Sequence, residues 1–137
     1  MRFIDTNVLL YAASRAADER QKAQRANEIL DAREVALSVQ VLQEFYVQAT
    51  RESRTHRLTH EQALAIIESL RPFPIQETTI ALALAATETR LRFQISYWDA
   101  AIIEAARNLR CEVVLSEDLS DGADYGGVRV ENPFRDC

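Results

Sequence analysis

Apolar positions in this 137-residue chain follow two alternating rhythms. Short apolar-rich runs at Met1–Ile4, Val35–Ser38, Glu112–Ser116 and Val128–Val130 predict buried strands. Phe73–Ile75 predicts another, with its prolines tolerable only at a strand start or on an edge. Between these runs the apolar residues recur at helical spacing. Residues 18–33 align Ala23, Ala26, Ile29 and Leu30, and residues 39–50 align Leu42, Phe45, Tyr46 and Ala49. Thr59-His-Glu-Gln62 has the form of a capping box opening a helix through Ala63, Ile66, Ile67 and Leu70. Thr78 or Thr79 opens a long helix to about Phe93. Trp98–Leu109 forms the last, with Ala101, Ile102, Ala105 and Leu109 facing inward. The polar segment 51–58 (RESRTHRL) reads as a loop or frayed helix end. Strands alternating with helices imply an α/β fold with a mainly parallel sheet. No linker or internal repeat divides the chain, so residues 1–137 are expected to form a single domain.

Composition narrows the functional classes. No apolar run suits a bilayer span, and Asp5 interrupts the N-terminal apolar stretch that a secretory signal would need. The two cysteines, Cys111 and Cys137, give no disulfide framework and no metal-binding spacing, so a cytoplasmic location is expected. Net charge is −5, which argues against holding nucleic acid by a general basic surface. An enzyme that meets phosphates through bound cations is not excluded by that balance.

Polar residues just beyond strand ends are the first candidates for chemistry, because ligands of open parallel sheets collect there. Asp5 follows the first strand, Glu44 lies in the helix after the second, Asp99 opens a helix, and Asp118 follows the VVLS strand. Each has a structural alternative. Asp5 or Thr6 can cap a helix, Glu44 can be a solvated helix residue, and Asp99 stands at capping-box spacing from Ser96. Glu117 and Asp121 compete with Asp118 for one position. Together, oxygen-only carboxylates suit a hard divalent cation such as Mg²⁺ or Mn²⁺. Such ions can activate a water and stabilise the leaving oxygen of a phosphodiester.

The stretches IDTNVLLY at 4–11, LQEF at 42–45, YWDA at 97–100 and LSEDLSDG at 115–122 occur in order across the chain. In these the sequence resembles the PIN-domain nucleases, especially the VapC-type toxins of bacterial toxin–antitoxin pairs. The resemblance implies a three-layer α/β/α sandwich and Mg²⁺- or Mn²⁺-dependent endoribonuclease activity on RNA. It also implies a homodimer and a cognate antitoxin that blocks the active-site groove. Asp5, Glu44, Asp99 and Asp118 match the family's acidic metal-binding quartet, and Asn7 and Ser116 its accompanying polar positions. The family acid stands two residues after a small hydroxyl residue, so Ser116 selects Asp118. Asn7 and Ser116 are expected to orient a carboxylate, a water or the scissile phosphate.

Two other functions compete. A haloacid-dehalogenase-type phosphatase also places an aspartate after its first strand, but its second aspartate is replaced here by Asn7, and Lys22, the only lysine, falls too early. A catalytically inactive PIN-like module that binds RNA or protein is the other alternative. The remaining notable residues carry plainer expectations. Arg51, Arg54, His56 and Arg57 read as a solvated basic face, His56 and His60 lack a third nitrogen or sulfur ligand, and Trp98 reads as core or dimer packing.

Overall fold

The computed structural model describes residues 1–137 and contains five strands and six α-helices. In chain order these are β1 (Arg2–Ile4), α1 (Thr6–Ala12), α2 (Arg20–Asp31), β2 (Val35–Ser38), α3 (Val39–Ala49), α4 (His60–Leu70), β3 (Ile75–Gln76), α5 (Ile80–Phe93), α6 (Tyr97–Asn108), β4 (Val113–Leu115) and β5 (Arg129–Glu131). The strands form one sheet in the order β3-β2-β1-β4-β5, and every strand pair is parallel. The sheet is therefore more uniform than the mainly parallel one expected. The only antiparallel pairing is an isolated bridge between Asp124 and Arg129.

Parallel neighbours need crossover helices, and right-handed crossovers dictate where those helices lie. The chain moves from β1 to β2 to β3 in one direction, then returns over the sheet to β4. Helices α1 to α4 accordingly pack among themselves on one face, while α5 pairs with α6 on the other. Phe3, Ile4, Leu37, Phe45, Ile103 and Leu115 are among the fully buried side chains between the layers. No helix is long and apolar enough to cross a membrane.

Helix starts follow their local chemistry. Ser38, Thr59, Thr79 and Ser96 each accept a backbone N–H at the opening of α3, α4, α5 and α6, and the Thr59–Gln62 capping box is complete in both directions. The third strand comes at Ile75–Gln76, later than the proline-containing run suggested. It lies on the sheet edge, and Pro74 contributes only its carbonyl, which accepts from Leu37 N–H at 3.0 Å. The stretch Val8–Tyr11 belongs to α1, which begins immediately after β1. Its buried residues, Thr6 to Leu9, are consecutive, so no helical stripe announces it in the sequence.

Candidate active site

Strand order reverses between β1 and β4, which lie side by side at the centre of the sheet. A ligand crevice is expected outside their carboxyl ends. Asp5 and Ser116 occupy those ends. Asp5 N–H donates to the Leu115 carbonyl at 3.0 Å, and Ser116 N–H to the Glu131 carbonyl at 3.0 Å, so both backbones continue the sheet ladder.

Asp5 is buried, 7% exposed, and both its oxygens accept hydrogen bonds. Thr6 N–H donates to Oδ1 at 2.8 Å, and the Ser116 hydroxyl to Oδ2 at 2.7 Å. The two roles weighed for Asp5 thus coexist: it caps α1 and also lines the crevice. Burial raises its carboxyl to about 6, against the opposing pull of the Ser116 and Thr6 hydrogen bonds, with the Glu44 and Asp118 charges adding to the rise.

Ser116 is wholly buried, which rules out contact with a scissile phosphate. Its hydroxyl oxygen instead accepts from Asp118 N–H at 3.1 Å, Leu119 N–H at 3.2 Å and Asn7 Nδ2 at 3.2 Å. One side chain thereby sets both the Asp5 carboxylate and the loop after β4. Asn7 works alongside it, donating to Asp118 Oδ2 at 3.3 Å and accepting Glu117 N–H at 3.1 Å through Oδ1.

Glu44 reaches the crevice from α3. Thr6 Oγ1 donates to its Oε2 at 2.9 Å and Gln40 Nε2 to its Oε1 at 2.9 Å. Asp99 lies in the first turn of α6, where Ser96 Oγ accepts its N–H at 3.0 Å. Burial raises the Asp99 carboxyl, partly offset by the Ser96 hydroxyl, with the Asp118 and Glu44 charges adding to the rise. Asp5, Glu44, Asp99 and Asp118 therefore line one cleft, together with Thr6, Asn7, Leu10, Gln40, Gln48, Trp98 and Ile102. No lysine, arginine or histidine lines it.

The rivals for the fourth acidic position lie elsewhere. Glu117 turns to α1 and α2, where its oxygens accept from Tyr11 Oη at 2.7 Å and Lys22 Nζ at 2.8 Å. Burial pushes its carboxyl up, but Lys22 and Tyr11 outweigh this and hold it below its ordinary value. Asp121 accepts Asn132 N–H at 2.8 Å and pairs with Arg135 at 3.2 Å. Lys22 is thus committed to Glu117 and not to Asp5.

Sequence reasoning overlooked Thr6 and Gln40 as partners of Glu44. The Thr6 contact spans 38 positions, so no local pattern signals it. Trp98 is not core, being 65% exposed at the rim of the cleft. His60 Nδ1 lies 2.9 Å from Tyr46 Oη, while His56 sits in the preceding loop with φ of 58°. The two histidines do not form a helical metal pair.

No group of three or more acidic, histidine or cysteine side chains closes as the ligands of one ion. The donors nonetheless suit a hard cation in kind. All are anionic or neutral oxygens, they repel one another, and no side-chain cation compensates them. Mg²⁺ keeps several waters and is commonly held directly by only one or two carboxylates, so a closed cage is not required.

The sequence model of the PIN domain matches residues 2–120. The chain belongs to the PIN domain family. Solved structures share the fold of this PIN domain over nearly its whole length. A toxin–antitoxin complex from Klebsiella pneumoniae aligns with 22% identity and a TM-score of 0.71, covering 97% of this chain and 98% of that one. FitAcB from Neisseria gonorrhoeae aligns with 20% identity and a TM-score of 0.66, over 98% and 99% of the two chains. VapC20 from Mycobacterium tuberculosis, a sarcin-ricin loop cleaving toxin, aligns with 19% identity and a TM-score of 0.66, over 86% and 90%. At these identities the likeness is one of fold. No curated protein matches by sequence.

Proposed function

We propose that this PIN domain is a Mg²⁺- or Mn²⁺-dependent endoribonuclease, the toxin of a toxin–antitoxin pair. The observation that carries this is the cleft itself: Asp5, Glu44, Asp99 and Asp118 line it without a balancing basic side chain. Fold neighbours that include a toxin–antitoxin complex and a sarcin-ricin loop cleaving toxin support the same function.

Asp5, Glu44, Asp99 and Asp118 would hold the cation. Once bound, it would supply Lewis-acid activation of water and stabilisation of the leaving oxygen. The chain's own contribution is positional. Ser116 and Thr6 N–H fix Asp5, Thr6 Oγ1 and Gln40 fix Glu44, and Asn7 fixes Asp118. The Ser96 cap fixes the backbone that carries Asp99. Substrate phosphate charge would enter the cleft only with a cation present, because the carboxylates otherwise repel it.

A second copy and an antitoxin are the proposed protein partners. Ile80, Leu84 and Leu91 fall on one side of α5 and are 81%, 62% and 64% exposed, an apolar face that supports self-association.

The deciding experiment incubates purified protein with defined RNAs, with and without Mn²⁺. Mn²⁺-stimulated cleavage that Asp5→Asn abolishes is expected. Cleavage at the wild-type rate by Asp5→Asn would refute the assignment.

A further inference from the structure

Trp98 is the only tryptophan in the chain, and it lies 65% exposed although an indole is among the costliest side chains to leave in water. Its surroundings hold it in place. The Tyr97 ring meets it edge-on, with centroids 5.0 Å apart and planes at 86°. The Trp98 carbonyl accepts from Gln40 Nε2 at 3.2 Å, and the same nitrogen donates to Glu44 Oε1 at 2.9 Å. One amide therefore ties the indole's backbone to a carboxylate of the cleft.

Trp98 and Gln40 also form the border between that cleft and a neighbouring open groove of about 530 Å³. The groove is lined by Val39, Leu82, Gln43 and Thr78 as well, and no arginine or lysine lines it. Its only charged lining residue is Glu77. A phosphate is disfavoured there. An uncharged, flat, hydrogen-bonding group is favoured, since the indole offers a stacking face and the amides and hydroxyl offer donors and acceptors.

We propose that Trp98 is a stacking platform for an unpaired nucleobase adjacent to the scissile phosphate. This rests on the ribonuclease function proposed above. Bases of single-stranded RNA stack on aromatic side chains regardless of sequence, while those of a duplex are already stacked on each other. The groove's Gln40, Gln43 and Thr78 then face the base edge, a place where modest sequence preference arises. The exposed apolar face of α5 does not compete for this position, because Ile80, Leu84 and Leu91 do not line the groove.

The single tryptophan makes the test direct. Protein in Ca²⁺, a hard divalent cation supplied in place of Mn²⁺ to offset the cleft carboxylates, is titrated with a short mixed-sequence single-stranded RNA carrying a terminal dye, and separately with the same RNA annealed to its complement. Dye anisotropy reports binding and Trp98 emission reports stacking. Saturable quenching that tracks the anisotropy with the single strand, and less of it with the duplex, is expected. Trp98→Ala should weaken single-strand binding about ten-fold or more, with Trp98→Tyr retaining most of the affinity. In cleavage assays with Mn²⁺, the loss in Trp98→Ala should fall on KM more than on kcat.

Binding without any change in emission would overturn the proposal, as would Trp98→Ala binding RNA like wild type. If Trp98→Ala instead turns a dimer into a monomer in sedimentation velocity, and Trp98→Tyr loses RNA binding equally, the indole belongs to a protein interface and the proposal is also overturned. Quenching by RNA without any cleavage would sink the ribonuclease function and leave stacking intact. Cleavage without quenching would do the reverse.

Discussion

A buried ionised carboxylate should destabilise the metal-free fold, and Asp5 allows the size of that cost to be worked out. Its carboxyl rises from an ordinary 3.8 to about 6, chiefly through burial. Each unit of difference corresponds to about 1.4 kcal/mol, so the ionised form costs about 3 kcal/mol relative to the unfolded chain. Between those two values the folded state binds the extra proton. The contribution of Asp5 to metal-free stability is therefore greatest below about pH 4, falls as pH rises through about 6, and then levels off. Asp99, also raised, contributes in the same direction. Glu117, held below 4.5, contributes stability above its ordinary value and loses it as pH falls, outside the upper part of this window.

Asp5→Asn removes the titrating group while keeping its shape. The amide has one acceptor oxygen, whereas Thr6 N–H and the Ser116 hydroxyl both donate to Asp5, so about 1 kcal/mol is lost with one hydrogen bond. In EDTA at pH 7.5 the variant should exceed wild type by about 2 kcal/mol, and near pH 4 the two should lie within about 1 kcal/mol. Urea denaturation at closely spaced pH values measures both. Adding Mg²⁺ at about 100 times its dissociation constant should return nearly 3 kcal/mol to wild type at pH 7.5 and little to the variant. Parallel stability curves for the two proteins from pH 4 to 7.5 would refute the reasoning.

Other substitutions separate support from chemistry. Ser116→Ala removes the donor to Asp5 and the acceptor for three N–H groups, and should cost about 2–3 kcal/mol in urea denaturation while lowering cleavage. Glu104 is buried, bonded to Thr89 at 2.9 Å, and paired with Arg107, which itself donates to the Tyr125 and Gly126 carbonyls. Glu104→Ala should therefore cost about 2 kcal/mol by thermal or urea unfolding, since Arg107 stays part-solvated and bonded to those carbonyls, without altering metal affinity measured on the residual folded protein. Thr59→Ala breaks the α4 capping box and should cost about 1 kcal/mol with RNA cleavage unchanged.

The parts of this molecule that were legible in its sequence are those fixed by neighbours in the chain. Threonine and serine caps at positions 59, 79 and 96 lie within a few residues of what they cap, and they mark three of the six helix starts. The helix α1 was signalled by its Asp5 cap but by no apolar stripe, for an equally physical reason. With Thr6, Asn7, Val8 and Leu9 all buried, it presents no polar face to alternate with an apolar one. Asp5 and Asp118 could be located because strand ends are where a parallel sheet collects ligands, whereas Glu44 and Asp99, which lie within helices, were singled out by the family resemblance.

Their orientation could not be located in that way. It depends on Ser116 reaching Asp5 across 111 positions and on Thr6 reaching Glu44 across 38. Glu117 shows what this difference means for assignment. It stands next to Asp118 in the sequence and has the same charge, yet Tyr11 and Lys22 hold it away from the cleft that Asp118 lines. A carboxylate committed to a lysine has little charge left to offer a cation, whereas Asp118 accepts only from the neutral amide of Asn7. The choice between the two adjacent acids is thus made by α1 and α2, far away in the chain, and not by the loop in which both occur.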